Sequence, residues 1–248
     1  MSTTSGKKVP AADVCTQCGS WRLREQGIGI QQVAAHARKH FSKTPITIFD
    51  HTTATTHVKA KKLAKQFYDT KGSIMIGTSM ALPYLTKPVS LTAVTSYEAA
   101  RAIPTWRAEE QVLSLLLKLR EVTTKDCYVQ LRSDPDPLLK YAARGLIDDF
   151  YTDEVTMRQV LSYPPYTTFV LLSWHGNKEQ VTEIEEALRS QIDEEMQCYN
   201  EPLVTKKGIT RHGLLRISRE DWPKPELIET LRNLPPYIKI EVGPDRII

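Results

Sequence analysis

Four short apolar runs, "PITIFD", "SIMIGTSM", "VSLTAVTSY" and "DCYVQLRS", are separated by stretches with helical spacing, and this alternation constrains the fold more than any other feature of the chain. "QQVAAHARKHF" precedes the first run. "HVKAKKLAKQFYDTKG" sets Val58, Leu63, Ala64 and Phe67 on one side and closes at Gly72, while "TWRAEEQVLSLLLKLREV" turns Val112, Leu113, Leu116, Leu117 and Leu119 inward. Strands joined through helices of this length are expected to pair in parallel by crossover connections. Residues 20–134 therefore read as one open, parallel α/β sheet.

From Asp134 the texture changes. "DPDPLLKYAARGLIDDFYTDEVTMRQVLSYPPY" reads as two helices stopped by Tyr-Pro-Pro, a helical linker over 135–163. Its carboxylate cluster Asp148 to Glu154 reads as a solvated helix face. Beyond it come the strand "TTFVLLSW", the helix "KEQVTEIEEALRSQIDEEMQCY", the strands "PLVTKK" and "HGLLRIS", the helix "KPELIETLRNL" and the strand "YIKIEVG". This β-α-β-β-α-β order over 164–248 is that of a ferredoxin-like α+β domain with a split βαβ unit. Residues 1–19 are expected to be a flexible tail.

A hydrophobic content of 41% with 25% charged residues suits a soluble chain of two domains. No apolar run approaches 18 residues and the N-terminus has no secretory h-region, so no membrane partner and a cytoplasmic location are expected. Cys15, Cys18, Cys127 and Cys198 are too few for a disulfide framework. A net charge of +4 fits a nucleic-acid partner and also many enzymes, so its distribution matters more. "KAKKLAK" reads as a solvated helix face. "KKGITRHGLLRISR" gathers Lys206, Lys207, Arg211, Arg216 and Arg219. In a strand pair joined by a tight turn, Lys207 and a turn residue Arg211 present a positive rim while Leu214 and Ile217 reach the core. Weak, sequence-independent binding to single-stranded or forked DNA through phosphate contacts is the expected result. Trp21, Trp106, Trp174 and Trp222 are too dispersed for a base-stacking platform, although Trp222 beside Lys224 is placed to touch a single strand.

Several of these stretches, taken in order, resemble the C-terminal half of the bacterial primosomal protein N-prime family, the replication-restart DNA helicases of superfamily two. "CTQCGS" followed by "GIGIQQ" is similar to the family's last zinc pair and its Gly-x-Gly turn. "IGTSM" at Ile76 to Met80 resembles the I-G-T-Q-M strand of the second motor lobe, "PTWRAEEQ" its P-D-F-R-A-A-E-R, "YPPY" at Tyr163 to Tyr166 its Y-P-P-F, and "IEVGPDRII" its I-D-V-D-P ending. The resemblance covers nearly the whole chain. It implies a RecA-like second helicase lobe over 20–134, and makes Gly77, Thr78, Arg120 and Lys125 the remnant of a nucleotide-proximal site.

The departures bear on activity. The chain has no G-x-x-x-x-G-K-[ST] phosphate cradle. Where the family carries its Gly-and-Asp loop this chain has "ALPYLTKP", and its arginine-bearing stretch aligns with "KLREVTTK", leaving Val122 and Lys125 at the arginine places. A lone Arg120 without flanking glycines gives no bidentate clamp, and loss of such an arginine typically costs about three to five orders of magnitude in turnover. The lobe is therefore expected not to hydrolyse ATP, which leaves a degenerate helicase that binds DNA. Two alternatives stand beside it: one half of a split ATP-dependent helicase completed by a separate N-terminal chain, and an adaptor for replisome or other proteins without DNA affinity.

Cys15 and Cys18 form half of a structural zinc site, which takes four ligands. The resemblance places the other Cys pairs upstream. Vestigial thiols, a site completed by another chain, a local site using His36 and His40 at i, i+4 spacing, and a redox pair all remain open, with less than one zinc per isolated chain expected. The remaining histidines, among them His51, His57, His175 and His212, have no nucleophile beside them in an elbow setting.

Overall fold

A computed structural model gives the fold of residues 28–103, 105–132, 136–200 and 208–247. These residues fall into two compact units, one holding 28–103, 108–132 and 136–147 and the other 105–107, 148–200 and 208–247.

The first unit runs α1 (Ile30–His40), β1 (Ile46–Phe49), α2 (His57–Asp69), β2 (Ile74–Gly77), a 3-10 helix (Ser79–Tyr84), β3 (Val89–Val94), α3 (Tyr97–Arg101), α4 (Ala108–Val122), β4 (Thr123–Val129) and α5 (Pro137–Arg144). β1 pairs in parallel with β2, Ile46 opposite Ile74 and Phe49 opposite Gly77, and β3 pairs in parallel with β4. Parallel pairing is thus present, but as two two-stranded sheets instead of one open sheet. The reason lies in composition. A parallel strand covered on both faces is nearly continuous apolar sequence, whereas β4 opens "TTKD" and is exposed from Thr124 to Tyr128. β2 is also shorter than "SIMIGTSM" suggested, because the backbone turns after Gly77 into a 3-10 helix that contains Pro83.

Thr56 accepts a hydrogen bond from the Lys59 amide and so caps α2, whose Ala60 and Ala64 pack with Phe49, Ala54 and Ala81. Lys59, Lys61, Lys62 and Lys65 are exposed, as a solvated face requires. α4 buries Val112, Leu113, Leu116, Leu119 and Val122. Arg101 of α3 pairs with Glu109 of α4 and with Asp136, which also accepts from the Leu138 amide at the start of α5. One guanidinium therefore ties three helices together.

The second unit holds α6 (Ile147–Val160), β5 (Thr167–Gly176), α7 (Lys178–Gln191), β6 (Met196–Asn200), β7 (Ile209–Ser218), α8 (Pro225–Asn233) and β8 (Lys239–Val242). Its strands form one antiparallel sheet in the order β6-β7-β5-β8. Alternation along β5 sorts its residues. Val170, Leu172 and Trp174 meet Val181 and Leu188 of α7 and Leu227 and Leu231 of α8, while Phe169 and Leu171 join Leu214 on the other face, beneath Trp106, Tyr163 and Tyr199. Asn177 and Gln180 form a reciprocal capping box that starts α7.

Two sequence readings change here. The helix ends at Gln191, not after "MQCY", because Met196 and Cys198 turn inward at a spacing of two and place "MQCYN" in a strand. The strand expected at "PLVTKK" lies at 202–207, outside the described residues.

Candidate functional site

The four residues of the expected nucleotide remnant are not brought together by any described contact. Gly77 ends β2 where a Cβ would lie 3.1 Å from both the Phe49 carbonyl oxygen and the Ala81 Cβ, so close packing accounts for this glycine without a phosphate. The Thr78 amide donates to the Phe49 carbonyl at 3.2 Å and its own carbonyl accepts from Ala81 at 2.9 Å. Arg120 projects from α4 onto the end of α5. Its Nη1 lies 3.4 Å from the Ala142 carbonyl and against Gly145, which closes the helix at φ 71°, a left-handed conformation that favours glycine. A cation against the carbonyl end of a helix is a favourable structural pairing. Lys125 is exposed on β4.

A more organised polar cluster, which the sequence reading passed over, sits at the carboxyl end of β1. Asp50 is 3% exposed and its Oδ1 accepts from the amides of Thr52 and Thr53, both at 2.9 Å, and from their hydroxyls at 2.7 and 3.1 Å. Burial alone would raise its pKa, but these hydrogen bonds outweigh it and hold the carboxyl below its ordinary value of 3.8. The signal in sequence is the local "DHTT", an Asx turn in which an aspartate bonds the backbone two residues on. Nearby, His57 Nδ1 and the Tyr84 hydroxyl are 2.8 Å apart.

Asp50→Ala is expected to cost about 2 kcal/mol at neutral pH, since bonds to a charged acceptor are lost. A depressed folded-state pKa stabilises fully above 3.8 and less as pH falls through the lower folded value. The gap between wild type and Asp50→Ala in urea denaturation should therefore narrow in that acid window and stay constant above about pH 5.

The expected DNA-binding residues divide three ways. Lys206 and Lys207 lie outside the described residues, as do Cys15 and Cys18. Arg211 is not in a turn. It lies within β7 opposite Trp174, on the helix-covered face, with its Nε 2.7 Å from Glu185 Oε2 of α7. The tight turn expected at "KKGITRHG" had placed it on a rim, but β7 already begins at Ile209. Arg216, on the other face opposite Phe169, stacks over the Tyr163 and Phe169 rings at 5.5 Å each and reaches the Leu161 carbonyl at 3.4 Å. Arg219 is exposed in the turn after β7.

Trp21 lies outside the described residues, and Trp106, Trp174 and Trp222 are engaged within the second unit. Trp106 donates from Nε1 to the Pro244 carbonyl at 2.9 Å and lies under Arg158 at 4.8 Å, while Trp222 packs against the helix-side core and Lys224 is held by Glu194 at 2.7 Å. Trp222 is thus not a free stacking residue. Burial first, then Glu185, pushes the Cys198 thiol up to about 11, which keeps it protonated near neutrality. Among the described residues no three His, Cys, Asp or Glu side chains converge as metal ligands, and no helix is long and apolar enough to cross a membrane.

The class is accordingly a chain of two α/β units, one with parallel strand pairs and crossover helices and one with a β-α-β-β-α-β antiparallel sheet. Compared with curated proteins, the chain is similar to replication restart protein PriA from several bacteria. It is 28% identical to PriA of Chlamydia trachomatis over 175 residues, 68% of this chain and 23% of that protein. It is 26% identical to PriA of Bacillus subtilis over 174 residues, 68% and 22% of the two chains, and 23% identical to PriA of Synechocystis sp. over 245 residues, 94% and 28%. The chain spans about a quarter of the length of the curated relatives it matches. No protein-family model matches it. The motif resemblance and these relatives point to the same family.

Proposed function

We propose that this chain is a replication-restart protein of the PriA kind that binds DNA and does not hydrolyse ATP by itself. The observation that carries the reading is the similarity to PriA, which in the Synechocystis comparison runs through 94% of the chain and so through both units. In this reading 20–134 is a RecA-like second motor lobe, 135–163 its helical linker and 164–248 a ferredoxin-like domain. The parallel pairs of the first unit and the β6-β7-β5-β8 order of the second support it. Its setting is the cytoplasm, with a separate N-terminal helicase chain or replisome proteins as further partners.

Two features support the lack of turnover. The sequence has no phosphate cradle, and Arg120 is committed to the end of α5. Cys15 and Cys18 are half of what a structural zinc takes, so a complete site needs two further ligands, from another chain or from local histidines such as His36 and His40. DNA contact falls to Lys206, Lys207 and Arg219, with Arg211 and Arg216 lending field more than direct phosphate contact, since Glu185 and the Tyr163 ring engage them.

The purified chain incubated with ATP is expected to give background turnover, both alone and with forked DNA. Turnover above background, whether or not it survives Arg120→Ala and Lys125→Ala, overturns the catalytic part of the reading.

A further inference from the structure

The last turn of β7 is paired on one side only. β6 pairs with β7 from Arg211 to Leu215, whereas β5 continues along β7 as far as Ser218. In an antiparallel ladder, residues whose backbone groups face one neighbour alternate with those that face the other. The Arg219 amide bonds the Tyr166 carbonyl on the β5 side. Two residues back, Ile217 also faces β5, so the C=O of Arg216 and the N–H of Ser218 face the side that β6 has left, while the Arg216 N–H meets the Glu195 carbonyl where Met196 pairs with Leu215. The Ser218 carbonyl is taken by the amides of Asp221 and Trp222.

A groove of about 540 Å³ lies along this edge. Leu214, Ile217 and Pro223 supply apolar lining, and Glu194, Glu195 and Asp221 supply carboxylates. Glu195 and Asp221 are exposed. Its two cations are both engaged within the second unit, Lys224 by Glu194 and Arg216 by the Tyr163 and Phe169 rings and the Leu161 carbonyl. The segments that rim it, 193–195 and 218–226, carry six carboxylates (Asp193, Glu194, Glu195, Glu220, Asp221, Glu226) against Arg219 and Lys224.

We propose that this groove docks an extended, basic segment of a partner protein, which adds to the free end of β7 as a short strand and sets its cationic side chains against Glu194, Glu195 and Asp221. Backbone pairing supplies the fixed geometry, and the carboxylates select the sign of the partner. The groove's charge disfavours nucleic-acid phosphate; Arg219 on its rim also belongs to the DNA contact proposed above, but the groove's docking rests on its carboxylates and stands whether or not that contact exists. Lys224 occupies the position that a partner's lysine takes over at Glu194.

The test uses the full chain and three fluorescein-labelled octapeptides: alternating Lys-Val, alternating Glu-Val, and Lys-Val with alternate backbone nitrogens methylated. Fluorescence anisotropy should rise with the Lys-Val peptide only. The double substitution Glu195→Lys, Asp221→Lys, at exposed positions that leave the circular dichroism unchanged, should weaken that binding by about tenfold or more. Absence of Lys-Val binding at millimolar chain overturns the proposal. Equal binding of the Glu-Val peptide removes the charge selection, equal binding of the methylated peptide removes strand pairing, and unchanged affinity in the double variant places binding elsewhere; each of these overturns it too.

Discussion

Replacing Trp174 with alanine is expected to destabilise the unit built on residues 148–247 by about 4 kcal/mol, the middle of the range for a buried aromatic. Trp174 is 1% exposed, sits on the central strand β5 and is surrounded by Val181, Leu188, Met196 and Leu215 from both sides of the sheet's helix-covered face. Its indole Nε1 also donates to the Val181 carbonyl at 2.9 Å, a bond within the first turn of α7 that holds this helix to the sheet. Trp174→Phe separates the two contributions, because it keeps most of the apolar area and loses the donor; it should cost less, about 1 to 2 kcal/mol. Urea denaturation followed by far-UV circular dichroism measures both. Equal midpoints for Trp174→Ala and wild type would mean that this core does not hold the unit together.

Trp174 also illustrates what the sequence makes legible. Alternation along "TTFVLLSW" placed it on a strand, and the two amphipathic helices after it made the β-α-β-β-α-β order readable, since each buried face repeats with its own period. Where the reading stopped short, the missing information was nonlocal. Nothing near "KLREV" says that Arg120 closes α5 twenty-odd residues later, and nothing near "ITRHG" says that Glu185 meets Arg211, because both partners arrive through folding. The alternation of strands and helices makes parallel pairing legible, but not that the polar residues of "TTKDCYV" leave β4 exposed, and so one sheet was expected where there are two. The helix through "MQCY" failed because "IDEEM" has good helix formers and no breaker, so only the burial of Met196 and Cys198 at alternate positions marks the strand. The Asp50 turn was local and readable in "DHTT", yet it carries no catalytic pattern and was passed over.

Binding to forked DNA tests the central claim most directly. Lys206, Lys207 and Arg219 as three phosphate contacts imply that the logarithm of affinity falls with the logarithm of salt at a slope of about 2 to 3, from about 0.7 to 0.9 per contact. Between 50 and 200 mM salt that is a loss of roughly twenty- to fortyfold. The contacts are to backbone, so unrelated fork sequences should bind alike. Arg211 is set apart by its ion pair with Glu185, and Arg211→Ser should change folding stability more than the salt slope. The decisive measurement is fluorescence anisotropy of a labelled fork titrated with the full chain at several salt concentrations, beside the Lys206→Ser, Lys207→Ser, Arg219→Ser variant. The account predicts binding at low salt with that slope and a flattened slope in the variant; no binding at low salt, or a variant that binds like the parent, contradicts it.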